Sequence, residues 1–437
     1  MADKSRTHLP IVNVITLGCP KNLVDSEKLM GKLKVSGINV SHGFSRNSDI
    51  LIINTCGFIQ DAKEESIEAI LQAVQQKKNG KVARVVVMGC LSERYMAELK
   101  VEIPEVDHFY GVNDLEKILE DLNVSARHEL YNERMLTTPP HYAYLKIAEG
   151  CDRTCSFCAI PLIRGKNISL PLENLLEETR ALAAKGVKEL ILVAQDLTWY
   201  GLDLYKKRML AALLEKLVEI DGIEWIRLHY AYPAAFPMDV LDVMAAQPKI
   251  CKYLDIPFQH ISSDLLASMR RGINKEETYR LIDVIRRKVP GITLRTSLMV
   301  GYPGETQEHF EELKEFIGTV RFERMGVFTY SEEEGTRAAS LADEIPKSVK
   351  DERAAELMEL QQQISEELNL AKVGKTLKTI IEGKEGDYYV GRTEYDSPGI
   401  DNEVLIPVAE KSLKTGEFYN IRILKADAFD VYGSVID

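Results

Sequence analysis

Three apolar runs punctuate the first third of the chain: IVNVITL (11–17), ILII (50–53) and RVVVM (84–88), with helix-like stretches between them. Near-continuous Val and Ile predict strands covered on both faces. Their alternation with helices predicts a parallel, doubly wound α/β sheet with right-handed crossovers. Each run leads into a cysteine: Cys19, Cys56 or Cys90.

LTTPPHY (136–142) reads as a linker, because paired prolines continue neither a helix nor a central strand. Beyond it come AYLKIAE (143–149), KELILVA (188–194), EWIRLHY (224–230), KYLDIPF (252–258), ITLRTSLMV (292–300) and RMGVFTY (324–330). Six such strands alternating with helices predict a (βα)6 partial TIM barrel. Leu357, Leu360, Ile364 and Leu368 then recur at helical intervals, which predicts a long connecting helix. After Gly374 the short segments TLKTIIEG, DYYVGRTE, EVLIPVAE and FYNIRIL predict a small β-barrel. The expected division is 1–138, 139–345, 346–371 and 372–437.

Composition adds limits. At 437 residues, 45% hydrophobic and 28% charged, the chain is globular but too long for a single core. A formal charge of -12 gives no general attraction to a phosphate backbone and favours a basic or neutral macromolecular partner. MADKSRTHLP has no apolar leader pattern, and no apolar run approaches the roughly 20 residues that span a bilayer. A cytoplasmic protein without a membrane partner is expected. Seven cysteines, an odd number, argue for reduced thiols serving metal or catalysis rather than a disulfide framework.

Cys151, Cys155 and Cys158 form a C-x3-C-x2-C run directly after the first barrel strand. Three close thiolates hold three irons of a 4Fe-4S cube and leave the fourth open to a ligand. Structural zinc wants four protein ligands, and neither a second C-x-x-C nor a His pair lies nearby. Cys19, Cys56 and Cys90 are distant in sequence, but parallel strands would carry them to one sheet edge, where open α/β sheets bind ligands. The competing reading is three buried structural cysteines. Cys251 stands alone and reads as a small buried hydrophobe. Gly301-Tyr-Pro-Gly304-Glu305 follows the fifth barrel strand and opens a helix, so its N–H groups suit a ligand carboxylate or ribose. Gln195, Asp196, Arg227, His229, Gln259, His260 and Arg295 sit at other strand positions as a pocket rim or as satisfied packing.

With these residues in place, the chain resembles the methylthiotransferase family of radical S-adenosylmethionine (SAM) enzymes over essentially its full length. The matching features, in order, are a three-cysteine N-terminal domain, a C-x3-C-x-aromatic-C motif that includes Phe157, and a C-terminal TRAM domain. The resemblance implies that Cys151, Cys155 and Cys158 hold a 4Fe-4S cluster that binds and cleaves SAM. It implies a second 4Fe-4S cluster on Cys19, Cys56 and Cys90 that presents sulfur. Gly301, Gly304 and Glu305 match the family's SAM loop, with Gln195 and Arg295 as weaker candidates. A low-potential donor such as flavodoxin or ferredoxin is implied as a partner.

The branch of the family it resembles modifies an aspartate β-carbon in the twelfth small-subunit ribosomal protein, a basic substrate, rather than a tRNA adenosine. Gly18-Cys19-Pro20-Lys21-Asn22, Cys158-Ala-Ile-Pro161 with Arg164-Gly165, Ala194-Gln195-Asp196 and Tyr200-Gly201 carry that choice. Residues 371–437 hold nine Lys/Arg against twelve Asp/Glu, an acidic balance poorly suited to gripping RNA. A scaffold or electron carrier would need no SAM pocket.

Overall fold

The computed structural model describes residues 10–43, 48–124, 133–409 and 411–436. Residues 1–9, which the leader expectation concerns, lie outside them. The chain forms two compact units. The first comprises the residues through Thr138 with Glu149–Asp152 and Ala159–Lys166; the second comprises Pro139–Ala148, Arg153–Cys158 and everything from Asn167 onward. The break at Thr138/Pro139 falls in the proline-bearing stretch, but the two short insertions into the first unit are invisible to a reading by linear segments.

In the first unit, β1 (Ile11–Thr16), β2 (Asn39–His42), β3 (Ile50–Thr55), β4 (Arg84–Gly89) and β5 (His108–Phe109) form a sheet in the order β2-β1-β3-β4-β5. All its pairings are parallel. Alternation along β3 explains the two-faced core. Ile50 and Ile52 join Val12, Val14, Leu29, Met30 and Leu33 on one side, while Leu51 and Ile53 join Ile70, Ala73, Val85 and Val87 on the other. The edge strands β2 and β5 escaped the sequence reading, one because Val40 is its single buried residue, the other because it has two residues.

In the second unit, β6 (Tyr142–Lys146) is followed by two-residue strands β7 (Ala148–Glu149) and β8 (Ile168–Ser169). Then come β9 (Glu189–Val193), β10 (Trp225–Leu228), β11 (Ile250–Asp255), β12 (Thr293–Val300) and β13 (Arg324–Thr329). The six long strands run in the order β6-β9-β10-β11-β12-β13, the open (βα)6 arrangement expected. A helix over Lys347–Leu370 leads to β14 (Thr376–Glu385), β15 (Tyr388–Thr393), β16 (Val404–Pro407), β17 (Phe418–Ala426) and β18 (Val431–Val435). These five close into a barrel, and VYGSV (431–435) is the strand not read from the sequence.

The small barrel meets the large sheet through buried charge. Pairing register puts Glu189, Arg227, Asp255, Arg295 and Arg324 on one face. The β15–β16 connection lies against that face: Arg324 Nε donates to Asp396 (2.9 Å), Tyr253 Oη to Asp401 (2.8 Å), and Arg227 Nη1 to the Glu394 carbonyl (2.7 Å). Among the described residues, no helix is long and apolar enough to cross a membrane.

Candidate functional site

Cys19, Cys56 and Cys90 follow the adjacent strands β1, β3 and β4, two of them where a helix begins and the third shortly before one. Cys19 is the N-cap of Pro20–Val35, Cys90 opens Cys90–Glu102, and Cys56 lies four residues before Gln60–Lys78. Three helix N-termini at one sheet edge favour negative charge, which is what metal-bound thiolates bring. All three are free thiols, Cys19 half-buried and the others buried.

Two glycines let the backbones close in. At Gly18 (φ +85) a Cβ would sit 2.7 Å from Cys56 Cβ and 2.9 Å from its Sγ, and at Gly89 (φ +99) one would sit 2.4 Å from Asn54 Oδ1. Gly18→Ala is therefore expected to cost about 1–3 kcal/mol from strain and crowding, read as a fall in Tm, and to impair iron uptake at these thiols.

Two asparagines set the spacing. Asn22 Nδ2 donates to the carbonyls of Leu17 (2.9 Å) and Thr55 (3.0 Å), which ties the ends of β1 and β3 together. Asn54 Nδ2 donates to the Asn22 carbonyl (2.9 Å) and to Ser26 Oγ (3.0 Å). Asn22 Oδ1 accepts from both Cys90 Sγ (3.7 Å) and Arg164 Nη2. Arg164, which the sequence reading used only as a family marker, is buried here, and its Nη1 is held by Glu149 at 2.6 Å.

Electrostatics separate the three thiols. Burial opposes ionisation of Cys19, but Lys21, Arg164 and backbone N–H groups outweigh it and its pKa is lowered. Burial pushes Cys56 up, and pushes Cys90 up to about 11 against the pull of Arg164. Among the described residues no three Cys, His, Asp or Glu side chains close around a single metal ion. A cube spreads its cysteines over different irons and asks for a wider spacing. The donor set, helix termini, glycine cradle and buried cation suit such a group.

Cys151, Cys155 and Cys158 are half-buried. In the first unit, the Cys151 N–H donates to the Gly165 carbonyl (3.0 Å). In the second, Cys155 Sγ receives Arg271 Nη1 at 3.2 Å and lies 3.5 Å from Tyr232 Oη. The guanidiniums of Arg153 and Arg271 stack on the Tyr232 ring, 3.9 and 4.3 Å from its centroid. Neither Tyr232 nor Arg271 stood out in the sequence, since their partners lie 77 and 116 positions away. Phe157 packs with Leu265, Met269, Tyr302 and Tyr330, so it anchors the loop in an apolar cluster.

The remaining sequence candidates part ways. Gln195 lies two residues beyond β9, and its buried Nε2 has no hydrogen-bond partner, an orphan donor that suits a polar ligand. At Gly304 (φ +88) nothing lies within 4 Å of a would-be Cβ, so the backbone is open to approach. The Glu305 carboxylate turns inward and is fully buried. It accepts from the Gly301 N–H (2.9 Å) and Arg353 Nη1 (2.6 Å), with His260 Nε2 at 3.7 Å. His260 is no ionic partner, because burial drops its pKa to about 3 and keeps it neutral. Arg295 pairs with Asp255 (3.3 Å) and Asp401 (3.5 Å) in the buried charge layer. Arg227 and His229 belong to the same layer, His229 Nε2 lying 2.8 Å from Ser397 Oγ.

Known proteins match along the whole chain. Residues 11–111 fit the family model described as "Uncharacterized protein family UPF0004", 145–317 the radical SAM superfamily and 373–436 the TRAM domain. A ribosomal protein uS12 methylthiotransferase RimO of Christiangramia forsetii is 58% identical over 98% of this chain and 94% of its own. Its counterpart in Flavobacterium psychrophilum is 58% identical over 97% of both, and that in Bacteroides thetaiotaomicron 56% over 98% of both. Among solved structures, the radical SAM methyltransferase TsrM of Kitasatospora setae superposes with a TM-score of 0.54 at 15% identity, covering 72% of each chain. At that identity the likeness is one of fold.

Proposed function

The chain belongs to the radical SAM family of ribosomal protein uS12 methylthiotransferases, and on that premise we propose that it places a methylthio group on the β-carbon of an aspartate in uS12. The observation that carries this reading is 58% identity to a uS12 methylthiotransferase over 98% of the chain. In it, Cys151, Cys155 and Cys158 hold a 4Fe-4S cluster, and Cys19, Cys56 and Cys90 hold a second. When bound, the first cluster and SAM supply a carbon radical strong enough to take hydrogen from an unactivated C–H bond.

The chain's own residues do the rest. Arg271 Nη1 donates to Cys155 Sγ, and Tyr232, whose hydroxyl donates to the Arg271 carbonyl (2.9 Å), lies 3.5 Å from the same sulfur, so the two hold the thiol in place. Phe157 fixes the loop by packing. Gln195 and the open backbone at Gly304 are offered to the polar parts of SAM. Glu305 shapes the Gly301–Glu305 turn from behind. A flavodoxin or ferredoxin as electron donor and a cytoplasmic setting complete the proposal.

Arg353→Ala would strip the buried Glu305 of its cation, which costs about 3 kcal/mol when one partner of a buried pair is removed. A lower Tm and SAM binding weakened about tenfold by the loosened turn are expected, with Arg353→Lys restoring part of both. Unchanged SAM binding in a folded Arg353→Ala chain would remove Glu305 from this role.

The deciding experiment incubates the anaerobically reconstituted enzyme with SAM, a reductant and either a uS12 loop peptide or a tRNA anticodon stem-loop, with mass spectrometry as the readout. A methylthio group on the peptide's aspartate supports the proposal. Modification of the RNA alone reassigns the substrate.

A further inference from the structure

We infer that Arg164 serves the second cluster site directly, as a buried counter-charge and as a hydrogen-bond donor to the cluster or its sulfur ligand. The inference rests on the reading of Cys19, Cys56 and Cys90 as that cluster's ligands.

The geometry is that of a guanidinium held on two sides and free on the third. Its side chain is 1% exposed. Nη1 is taken by Glu149 at 2.6 Å, with Asp25 at 3.6 Å. Nη2 is taken by Asn22 Oδ1, the same oxygen that Cys90 Sγ meets at 3.7 Å. Nε is buried and has no partner. Arg134, Arg271 and Arg353 also bury an Nε without an acceptor, so what singles out Arg164 is that its guanidinium and Cys90 Sγ meet the same Asn22 oxygen, which places the unused donor in the cysteine cluster. The two carboxylates engage Nη1 and orient the fork without using Nε.

The arginine also neighbours all three thiols, with charge interactions recorded to each of them. Cys90, Val112, Ala159 and Ile163 pack together, so the turn that carries Arg164 is seated against Cys90 by apolar contact. Three thiolates and a cube place negative charge in a region with little water. A fixed cation there stabilises the reduced, more negative state, and a donor to sulfur acts in the same direction. Removing Arg164 is therefore expected to make the second cluster harder to reduce while leaving its ligands in place.

The test uses the full chain with Cys151, Cys155 and Cys158 all replaced by Ala, so that any 4Fe-4S cluster resides at the second site. Iron and sulfide content, the EPR spectrum of the reduced protein and a redox titration are compared for Arg164, Arg164→Gln and Arg164→Lys. With Arg164→Gln the cluster is expected to assemble with its reduction equilibrium weakened at least tenfold, about 59 mV more negative for a one-electron couple, and with altered g-values. Arg164→Lys keeps the charge but loses the planar fork, so an intermediate shift is expected, and it decides the matter if the Gln variant fails to fold. Clusters that assemble in both variants with unmoved potential and spectrum would overturn the role of Arg164 alone. Absence of any cluster in the chain that retains Arg164 would take down the two-cluster reading itself.

Discussion

Cys151→Ala is expected to reduce SAM cleavage to background and to halve the iron that the reconstituted protein retains. In the proposed cluster each of the three thiolates of the C-x3-C-x2-C loop would hold a different iron and the fourth would stay open for SAM, so the set is minimal. With one thiolate gone, the open iron loses the rigid base that makes it selective, and no cysteine in the described structure replaces it. The remaining iron should stay with Cys19, Cys56 and Cys90, because their helix termini, glycines and buried arginine do not involve Cys151. Iron analysis and quantification of 5′-deoxyadenosine check the two halves separately. Cys251→Ala is the control. That thiol is 1% exposed beside Trp225 and Tyr253, burial pushes its pKa up to about 12, and its loss should leave iron and SAM cleavage unchanged.

Glu189→Ala is expected to destabilise the second unit by about 3–5 kcal/mol, the cost of breaking a buried ion pair from one side. Glu189 is fully buried at the start of β9, where it accepts from Arg227 Nε (2.7 Å) and from both terminal nitrogens of Arg392. Among the described residues, its removal leaves Arg227 (0% exposed) with carbonyl acceptors but no carboxylate, and Arg392 (3% exposed) with the carboxylate of Glu382 alone. Urea unfolding of wild type and variant measures the loss. Replacing all three residues with apolar ones of similar volume should cost less, because only the partly exposed Glu382 then loses its arginine.

The same layer sets an acid limit. Burial opposes ionisation of Glu189, but Arg392 and Arg227 prevail and hold its pKa below the ordinary carboxylate value; Arg324 and Lys372 do the same for Asp396. A carboxylate with a depressed folded pKa contributes stability above its unfolded pKa and loses it as pH falls through the folded one. The contribution of Glu189 and Asp396 should therefore be lost on acidification below the usual carboxylate range, while Asp255 and Asp401, whose pKa values burial raises, act in the opposite direction.

Much of this architecture could be read from the chain because its signals are local. The six strands of the open barrel are Val, Ile and Leu runs bounded by polar turns, and β1, β3 and β4 each deliver a cysteine at the strand end. Thiols announce their chemistry by residue type. What stayed hidden depends on partners remote in sequence. Arg164 meets Asn22 across 142 positions, and Arg392 meets Glu189 across 203. No spacing rule reaches that far. Glu305 was legible as part of a turn at a strand end, but which way its carboxylate points is decided by Arg353 on the connecting helix. Arg295 looked like rim because it lies in a barrel strand, yet Asp401 from the small barrel claims it.

The division of the cysteine loop limits how such proteins can be recombined. Glu149–Asp152 and Ala159–Lys166 pack with the first unit, while Arg153–Cys158 pack with the second. A cassette cut at Thr138 and grafted onto a relative would leave behind Glu149 and Arg164, and with them the charge that its own three cysteines are folded around. Transplanting the N-terminal sheet with its chemistry intact means carrying residues 149–166 along, so one stretch of eighteen amino acids binds the inheritance of both halves together.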